Sequence, residues 1–391
     1  MPRGKRKNKK DGWVDLSRIK LAIEPKNEWK QIFTEAWSLL RDHFWTADMS
    51  GIDWQQVHKM YAPIVDRVNT REELSDVMWE VNGELGTSHA YVMGGDFRPK
   101  PTYSIGLLGA KFTFDEKKQA YRFTHIAKGD VWADKNASPL KRLGLNMKED
   151  MLLLAIDGQM LSKTMVPNEL LINKANQEVS LTVADADGEN IRDINIKTIK
   201  DTTALYYRDW IENNRKYVRE KTNGKVGYIH IPDMSANGYA EFHRSFLSEV
   251  DYDGLIVDVR FNRGGHVSQL LLEKLARKRI AYGYARWMGS YPYPREAPKG
   301  NMVALTNEHA GSDGDIFSHN FKQMGLGTLI GTRTWGGVVG IWPRNKLVDG
   351  TVTTQPEYGF WMKDVKWNVE NYGTDPDLSL IHISEPTRHR R

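Results

Sequence analysis

From residue 226 onward the chain alternates short β-branched runs with segments of helical spacing, and no other feature narrows the fold as much. Val226 to Ile231 is apolar and β-branched, and Tyr239 to Val250 has helical spacing. Leu255-Ile-Val-Asp-Val259 reads as a buried strand and Val267 to Leu275 as a helix. Met302-Val-Ala-Leu305 is another strand, Ile316 to Met324 another helix, and Leu329-Ile330 opens a further strand. Such alternation argues for a layered α/β domain with reactive residues at strand ends. We assign it residues 201–377.

Two blocks precede it. Residues 27–100 read as helical: Phe33, Trp37, Leu40 and Phe44 recur at spacings of four and three, one apolar stripe. Val57, Tyr61, Ile64, Val65 and Val68 repeat the pattern around Pro63. Thr70 followed by Glu73 is a capping box, and Leu74, Val77, Met78, Val81 and Leu85 form the buried face of the helix it opens. Gly86 ends that helix, so Thr87, Ser88 and His89 fall on a turn. Residues 101–200 carry β-like runs at Gly109 to Phe114, Tyr121 to Ile126, Met151 to Ile156 and Val179 to Val183. Asp157-Gly158 is a turn signal. The expected fold class is therefore multidomain α/β, with a helical domain, a small β-rich domain and the layered domain.

The ends read differently. Residues 1–26 show no periodicity and are taken as a linker or the remnant of a missing upstream domain. Leu378 to Arg388, LSLIHISEPTR, resembles one frame of a sequencing-library adapter, so 378–391 is expected to be artefactual and the natural sequence to stop near Asp377. The net charge of +5 gathers in these tails, and their basic runs read as solvated linkers, so no nucleic-acid partner is expected. No stretch approaches the roughly 20 apolar residues of a membrane span, and the N-terminus lacks the apolar core of a signal peptide. The chain has no cysteine, which rules out disulfides, thiolate zinc sites and a thiol nucleophile. A cytoplasmic location with no membrane partner is the expectation.

Chemistry gathers where strands give way to helices. In Asn307-Glu-His-Ala-Gly-Ser-Asp-Gly-Asp315 a strand ends, Gly311 to Gly314 turn tightly, and a helix starts. Ser312 there faces the positive end of the helix dipole and its free N–H groups. An acyl-transfer oxyanion needs such donors, and the Asp313 N–H is one candidate. A plain N-cap serine would occupy the same place. Asp258-Val-Arg-Phe-Asn-Arg-Gly-Gly-His266 repeats the design, and paired glycines let backbone approach a ligand closely. Gly264 or Gly265 is thus a candidate second donor, the alternative being an ordinary glycine turn. A serine nucleophile needs a base, and eleven histidines leave that choice open. His309 is too locally constrained to be favoured, while His266 and His319 read as surface or packing residues.

Gly311-Ser-Asp-Gly-Asp-Ile-Phe317, followed by Gly331-Thr-Arg-Thr-Trp-Gly-Gly-Val-Val-Gly340 and Val369-Glu-Asn-Tyr-Gly373 and preceded by Gly86-Thr-Ser-His-Ala90, closely resembles the tricorn protease family. The likeness covers roughly residues 14 to 377. It implies Ser312 as nucleophile, His89 as base, and Ser88 with Glu370 orienting and polarising the imidazole. The N–H of Asp313 and one from the 264–265 pair, with the count from Ser312 favouring Gly265, would make the oxyanion hole. The three blocks would then be a helical domain, a PDZ-like domain and an α/β domain of spiral ββα repeats related to tail-specific proteases. Ile105-Gly-Leu-Leu-Gly109 looks like the peptide-carboxylate loop of a PDZ fold. Tail-specific relatives use a lysine after the serine; here the next ones are Lys322 and Lys346, which leaves the role to His89.

The implied activity is a serine endopeptidase that cleaves unfolded peptides downstream of a larger protease, without cofactor or metal. Family members are hexameric and begin with two β-propellers that this chain lacks, so a homo-oligomer is expected and size selection is not. Cleavage preference should lie between Arg279 and Pro294. The competing reading is a catalytically inactive PDZ-like scaffold that binds peptides. No His-Glu-x-x-His string supports a metallopeptidase.

Overall fold

The computed structural model describes residues 19–130 and 136–380. The basic N-terminal run and most of the tail taken as artefactual lie outside them. The chain divides into two compact units, residues 1–98 with 337–371, and residues 99–336 with 372–391. The segment 337–371 thus groups with the N-terminal helices rather than with the strands before it.

The first unit holds helices α1 (Pro25–His43), α2 (Trp54–Val65) and α3 (Arg71–Gly83). The stripe Phe33, Trp37, Leu40 and Phe44 is buried, together with Leu74, Met78 and Val81 of α3. Burying each large side chain contributes roughly 1.5–3 kcal/mol. Trp37 and Trp54 stack with ring centroids 6.3 Å apart. Each indole N–H donates to the other residue's carbonyl, at 3.0 and 3.1 Å, so neither buried donor is orphaned. Thr70 caps α3 by accepting from the Glu73 N–H at 3.2 Å. The returning Glu73 carboxylate accepts from Asn69 N–H rather than from Thr70, one residue earlier than a capping box prescribes. The segment 337–371 adds antiparallel pairs, Val352–Thr353 with Val92–Met93 and Pro356–Tyr358 with Gly340–Ile341. Its Leu347 joins the helical core.

The second unit begins with a β-rich module. Its strands Ala110–Asp115, Ala120–Ile126, Leu152–Ile156, Glu178–Ala184 and Arg192–Lys197 pair antiparallel in that order. Asp157 and Gly158 both take positive φ, 49° and 74°, and turn the chain into the short strand Gln159–Met160. That is the geometry an Asp-Gly hairpin turn demands. Helix α4 is a single turn, Pro167–Leu170.

After α5 (Thr203–Lys221) comes a parallel sheet in the order Leu378–Ser379, Gly327–Gly331, Asn301–Thr306, Gly254–Asp258, Val226–His230. Helices α6 (Ala236–Glu249), α7 (Ser268–Leu275) and α8 (Asp313–Gln323) intervene in sequence. Val257, Ala304, Leu329, Phe242, Phe246, Phe317 and Phe321 are fully buried in its core. All five strands run the same way, so the loops after Asp258 and Thr306 leave the sheet at one edge, the usual place for a site in such sheets. Leu378–Ser379, read from sequence as artefactual, pairs with Ile330 and Gly331.

Candidate active site

Ser312 immediately precedes α8 with φ 58° and ψ −122°. These are the angles of the second residue in a type II′ turn, a position that favours glycine. The turn is closed by Gly314 N–H donating to Gly311 O at 2.9 Å. A side chain held there costs about 1–3 kcal/mol and persists only where its surroundings over-determine it. They do so here. Gly311 N–H donates to Asn262 O at 3.0 Å, and Phe261 N–H to Asn307 Oδ1 at 3.0 Å. The buried Asp313 carboxylate accepts from Ser268 N–H at 2.9 Å and from the Ser268 hydroxyl. Burial pushes the Asp313 carboxyl above its ordinary range, partly offset by the Ser268 donors. The turn after Gly254–Asp258 is thereby tied to the turn before α8.

The two glycines of the first turn differ. A Cβ on Gly264 would lie 2.5 Å from Ser312 Cβ and 3.1 Å from Asp313 N, so the bare backbone of Gly264 packs directly against the serine. Its own N–H, however, donates to Asn262 Oδ1 at 2.9 Å. A Cβ on Gly265 would strike Met234 O at 1.9 Å. Among the described residues, neither the Gly265 N–H nor the Asp313 N–H has an acceptor. Asn262 was not singled out in the sequence; an Asn two residues before a glycine at a strand end was its available signal.

His89, Ser88 and Glu370 belong to the first unit; Ser312, Asp313, Gly264 and Gly265 belong to the second. His89 is buried with φ 65°. Its Nδ1 lies 2.7 Å from Ser88 Oγ, and its carbonyl accepts from the Thr354 hydroxyl. The Tyr91 ring packs edge-on at 5.7 Å. Glu370 does not touch the imidazole through any of its described hydrogen bonds. Its Oε1 accepts from Thr87 Oγ1 at 2.9 Å and Ser88 N–H at 2.6 Å, and its Oε2 from Val338 and Val339 N–H at 2.6 and 2.8 Å. It thus fixes the turn that presents His89 and acts on the ring through its charge. Burial lowers the His89 pKa below the ordinary imidazole value, and the Glu370 charge opposes that only in part. The lowered pKa favours the neutral imidazole, the form a base requires.

Other candidates are committed elsewhere. Lys322 Nζ donates to Asp375 O at 2.7 Å and pairs with Asp377 at 3.1 Å. His309 is exposed, 3.6 Å from Glu308. In the loop Ile105–Gly109, Gly106 N–H donates to Leu171 O and Leu107 N–H to Ile199 O, both at 2.8 Å, so neither is open to a carboxylate. Residues Ala281–Ala285 and Gly289–Tyr293 form an exposed hairpin within the stretch expected to set cleavage preference. No helix among the described residues is long and apolar enough to cross a membrane.

Comparison with known proteins matches three segments of the chain to family profiles. The profile of the tricorn protease C1 domain matches residues 25–83, that of the tricorn protease PDZ domain residues 106–201, and that of peptidase family S41 residues 225–380. The tricorn protease homolog of Saccharolobus solfataricus is 46% identical over 370 residues, covering 95% of this chain and 34% of its own length. The tricorn protease of Thermoplasma acidophilum is 42% identical, covering 94% and 34%. A crystal structure of the tricorn protease superposes with a TM-score of 0.89 at 42% identity, over 94% of this chain and 36% of that one. The chain spans about a third of the length of these relatives. Three family profiles in order, carried on a multidomain α/β fold, place this chain in the tricorn protease family.

Proposed function

We propose that the chain is a serine endopeptidase in which Ser312 is the nucleophile and His89 the general base. The observation that carries this reading is the strained turn at Ser312, flanked by two backbone N–H groups, of Asp313 and Gly265, that have no acceptor among the described residues. Strain at a reactive side chain beside unclaimed donors suits acyl transfer. Ser312 Oγ attacks the peptide carbonyl as its proton passes to His89 Nε2. The oxyanion is held by the Asp313 and Gly265 N–H groups. His89 then returns the proton to the leaving amine as the C–N bond breaks, and water releases the acyl group by the same route. Ser88 Oγ accepts from His89 Nδ1–H and keeps the Nε2 lone pair free, while Glu370 steadies the turn and favours the imidazolium as it forms. Removing a positioned base costs about 10²–10⁴ in rate, and removing one oxyanion donor about 10²–10³.

The names of the relatives, all tricorn proteases or homologs, support peptide substrates. Short unfolded peptides released by a larger protease are the substrates we favour, acted on by a homo-oligomer of hexameric type. The test is Ser312→Ala beside the parent chain, on a mixed peptide library and with a fluorophosphonate probe. The parent should cleave and label, and the variant should do neither. Turnover surviving in the variant would remove Ser312 from the reaction, and a parent chain that neither cleaves nor labels would leave the inactive peptide-binding scaffold as the better reading.

A further inference from the structure

Behind the turn that carries Gly265, on the strand Val226–His230, lies a buried histidine that the reaction as written does not use. His230 is 3% exposed. Its Nε2 is 3.0 Å from Arg260 O, and its Nδ1 is 3.0 Å from Tyr207 Oη of α5. A carbonyl oxygen only accepts, so Nε2 carries the hydrogen and donates. Burial keeps the ring neutral, so Nδ1 is left as an acceptor and takes the Tyr207 O–H. The tautomer is set by its partners. Trp210 packs edge-on against the ring at 4.7 Å, which holds its plane.

The Arg260 carbonyl opens the turn. Its neighbour Phe261 has φ 62°, a strained value for an aromatic residue. Several polar groups that follow are tied down. Asn262 Nδ2 donates to Ile231 O at 2.8 Å, Arg263 N–H to Pro232 O at 3.2 Å, and Met234 N–H to Gly264 O at 2.7 Å. Arg260 itself is anchored by its guanidinium on the fully buried Asp258, at 2.6 Å. Of the N–H groups from Arg260 to His266, only that of Gly265 is left without an acceptor among the described residues. His230 therefore fixes the first peptide plane of a turn whose last N–H is the proposed oxyanion donor.

We infer that His230, oriented by Tyr207, is a positioning residue for the oxyanion hole. It acts through the Arg260 carbonyl and touches no substrate. This rests on the serine-peptidase reading. Displacing an aligned group by about 1 Å costs about 10²-fold in rate, and the effect falls on the transition state rather than on substrate binding.

Two near-isosteres of the imidazole separate its two nitrogens. Glutamine reaches as far as Nε2 and can still donate to Arg260 O; asparagine reaches only as far as Nδ1. The experiment measures kcat, KM and Tm of the full chain on a fluorogenic peptide for His230→Gln, His230→Asn and Tyr207→Phe. His230→Asn should lose about tenfold or more in kcat with KM little changed, and His230→Gln should restore most of it. Tyr207→Phe, which keeps the packing but frees the tautomer, should fall between them. Equal losses in the Gln and Asn variants, or a rise in KM with kcat unchanged, would overturn the inference. If the Asn variant fails to fold, Tyr207→Phe decides alone: unchanged kcat overturns the proposal and reduced kcat at constant KM sustains it. A parent chain that neither cleaves nor takes the fluorophosphonate label would bring down the peptidase reading and this inference with it, whereas an active parent with fully active variants would remove only the role of His230.

Discussion

Replacing Gly264 by alanine tests the closest approach at the candidate nucleophile. The added Cβ would lie 2.5 Å from Ser312 Cβ, 2.9 Å from Gly311 O and 3.1 Å from Asp313 N. Carbon atoms pack at about 3.5–4.0 Å, so Ser312 or the glycine turn must move by about 1 Å. A shift of that size at the reacting atom costs about 10²-fold in kcat. The backbone is also strained, because φ is 74°, which costs an alanine about 1–2 kcal/mol and lowers Tm by a few degrees. Gly224 supplies the matched control. Its φ is 72° and a Cβ there meets nothing within 4 Å, so Gly224→Ala carries the strain without the collision. Steady-state kinetics on a fluorogenic peptide and thermal denaturation are measured for both. Gly264→Ala should lose at least as much stability as Gly224→Ala, because the collision adds to the shared strain, and only Gly264→Ala should lose turnover. A Gly264→Ala protein with kcat within about threefold of the parent, against the 10²-fold expected for a 1 Å displacement, would refute the argument that Ser312 is held in working position by that contact.

Other outcomes follow from the same geometry. Ser312→Gly removes the side chain from its positive-φ position, so it should abolish labelling yet raise Tm by relieving about 1 kcal/mol or more of strain; a lower Tm would count against the strain. Glu370→Gln leaves buried N–H groups facing an amide and should cost about 1–3 kcal/mol for each lost acceptor. The same change removes the charge that raises the His89 pKa against burial, so the acid limb of the kcat/KM–pH profile should move to lower pH; an upward move would contradict the assignment. His89 and His230 are both depressed by burial, so the unfolded chain takes up protons first and stability should fall as pH drops below about 6.5; urea midpoints at pH 7.5 and 5.5 measure this. Lys322→Met should leave kcat unchanged and cost at most about 1 kcal/mol, since the Lys322–Asp377 pair is partly exposed; loss of activity would revive a lysine base.

Much of the architecture was legible because it rests on apolar periodicity. The α1 stripe is buried as spaced, and the strands Leu152–Ile156, Gly254–Asp258 and Asn301–Thr306 fall within a residue or so of the runs that announced them. Helix α5 was not legible, because the face it buries includes Arg208 and Asp209 beside Leu205 and Ile211, and a charged seam leaves no apolar stripe to count. The hairpin 281–293 was missed for the opposite reason: Tyr282, Tyr284 and Tyr293 are exposed, and its strands face no core. At the candidate site, the helix start beside Ser312 could be read from turn chemistry alone. The four-donor clasp of Glu370 could not, since it joins residues 282 positions apart. Nor could the difference between Gly264 and Gly265, which turns on one Asn262 oxygen.

The clasp on the His89 turn also sets an order of assembly. The groups that hold this turn, Thr354 and Glu370, emerge from the ribosome some 265 and 282 residues after the positions they secure. During synthesis α1 to α3 can form early, but the histidine loop stays unanchored until Thr354 and Glu370 have been made.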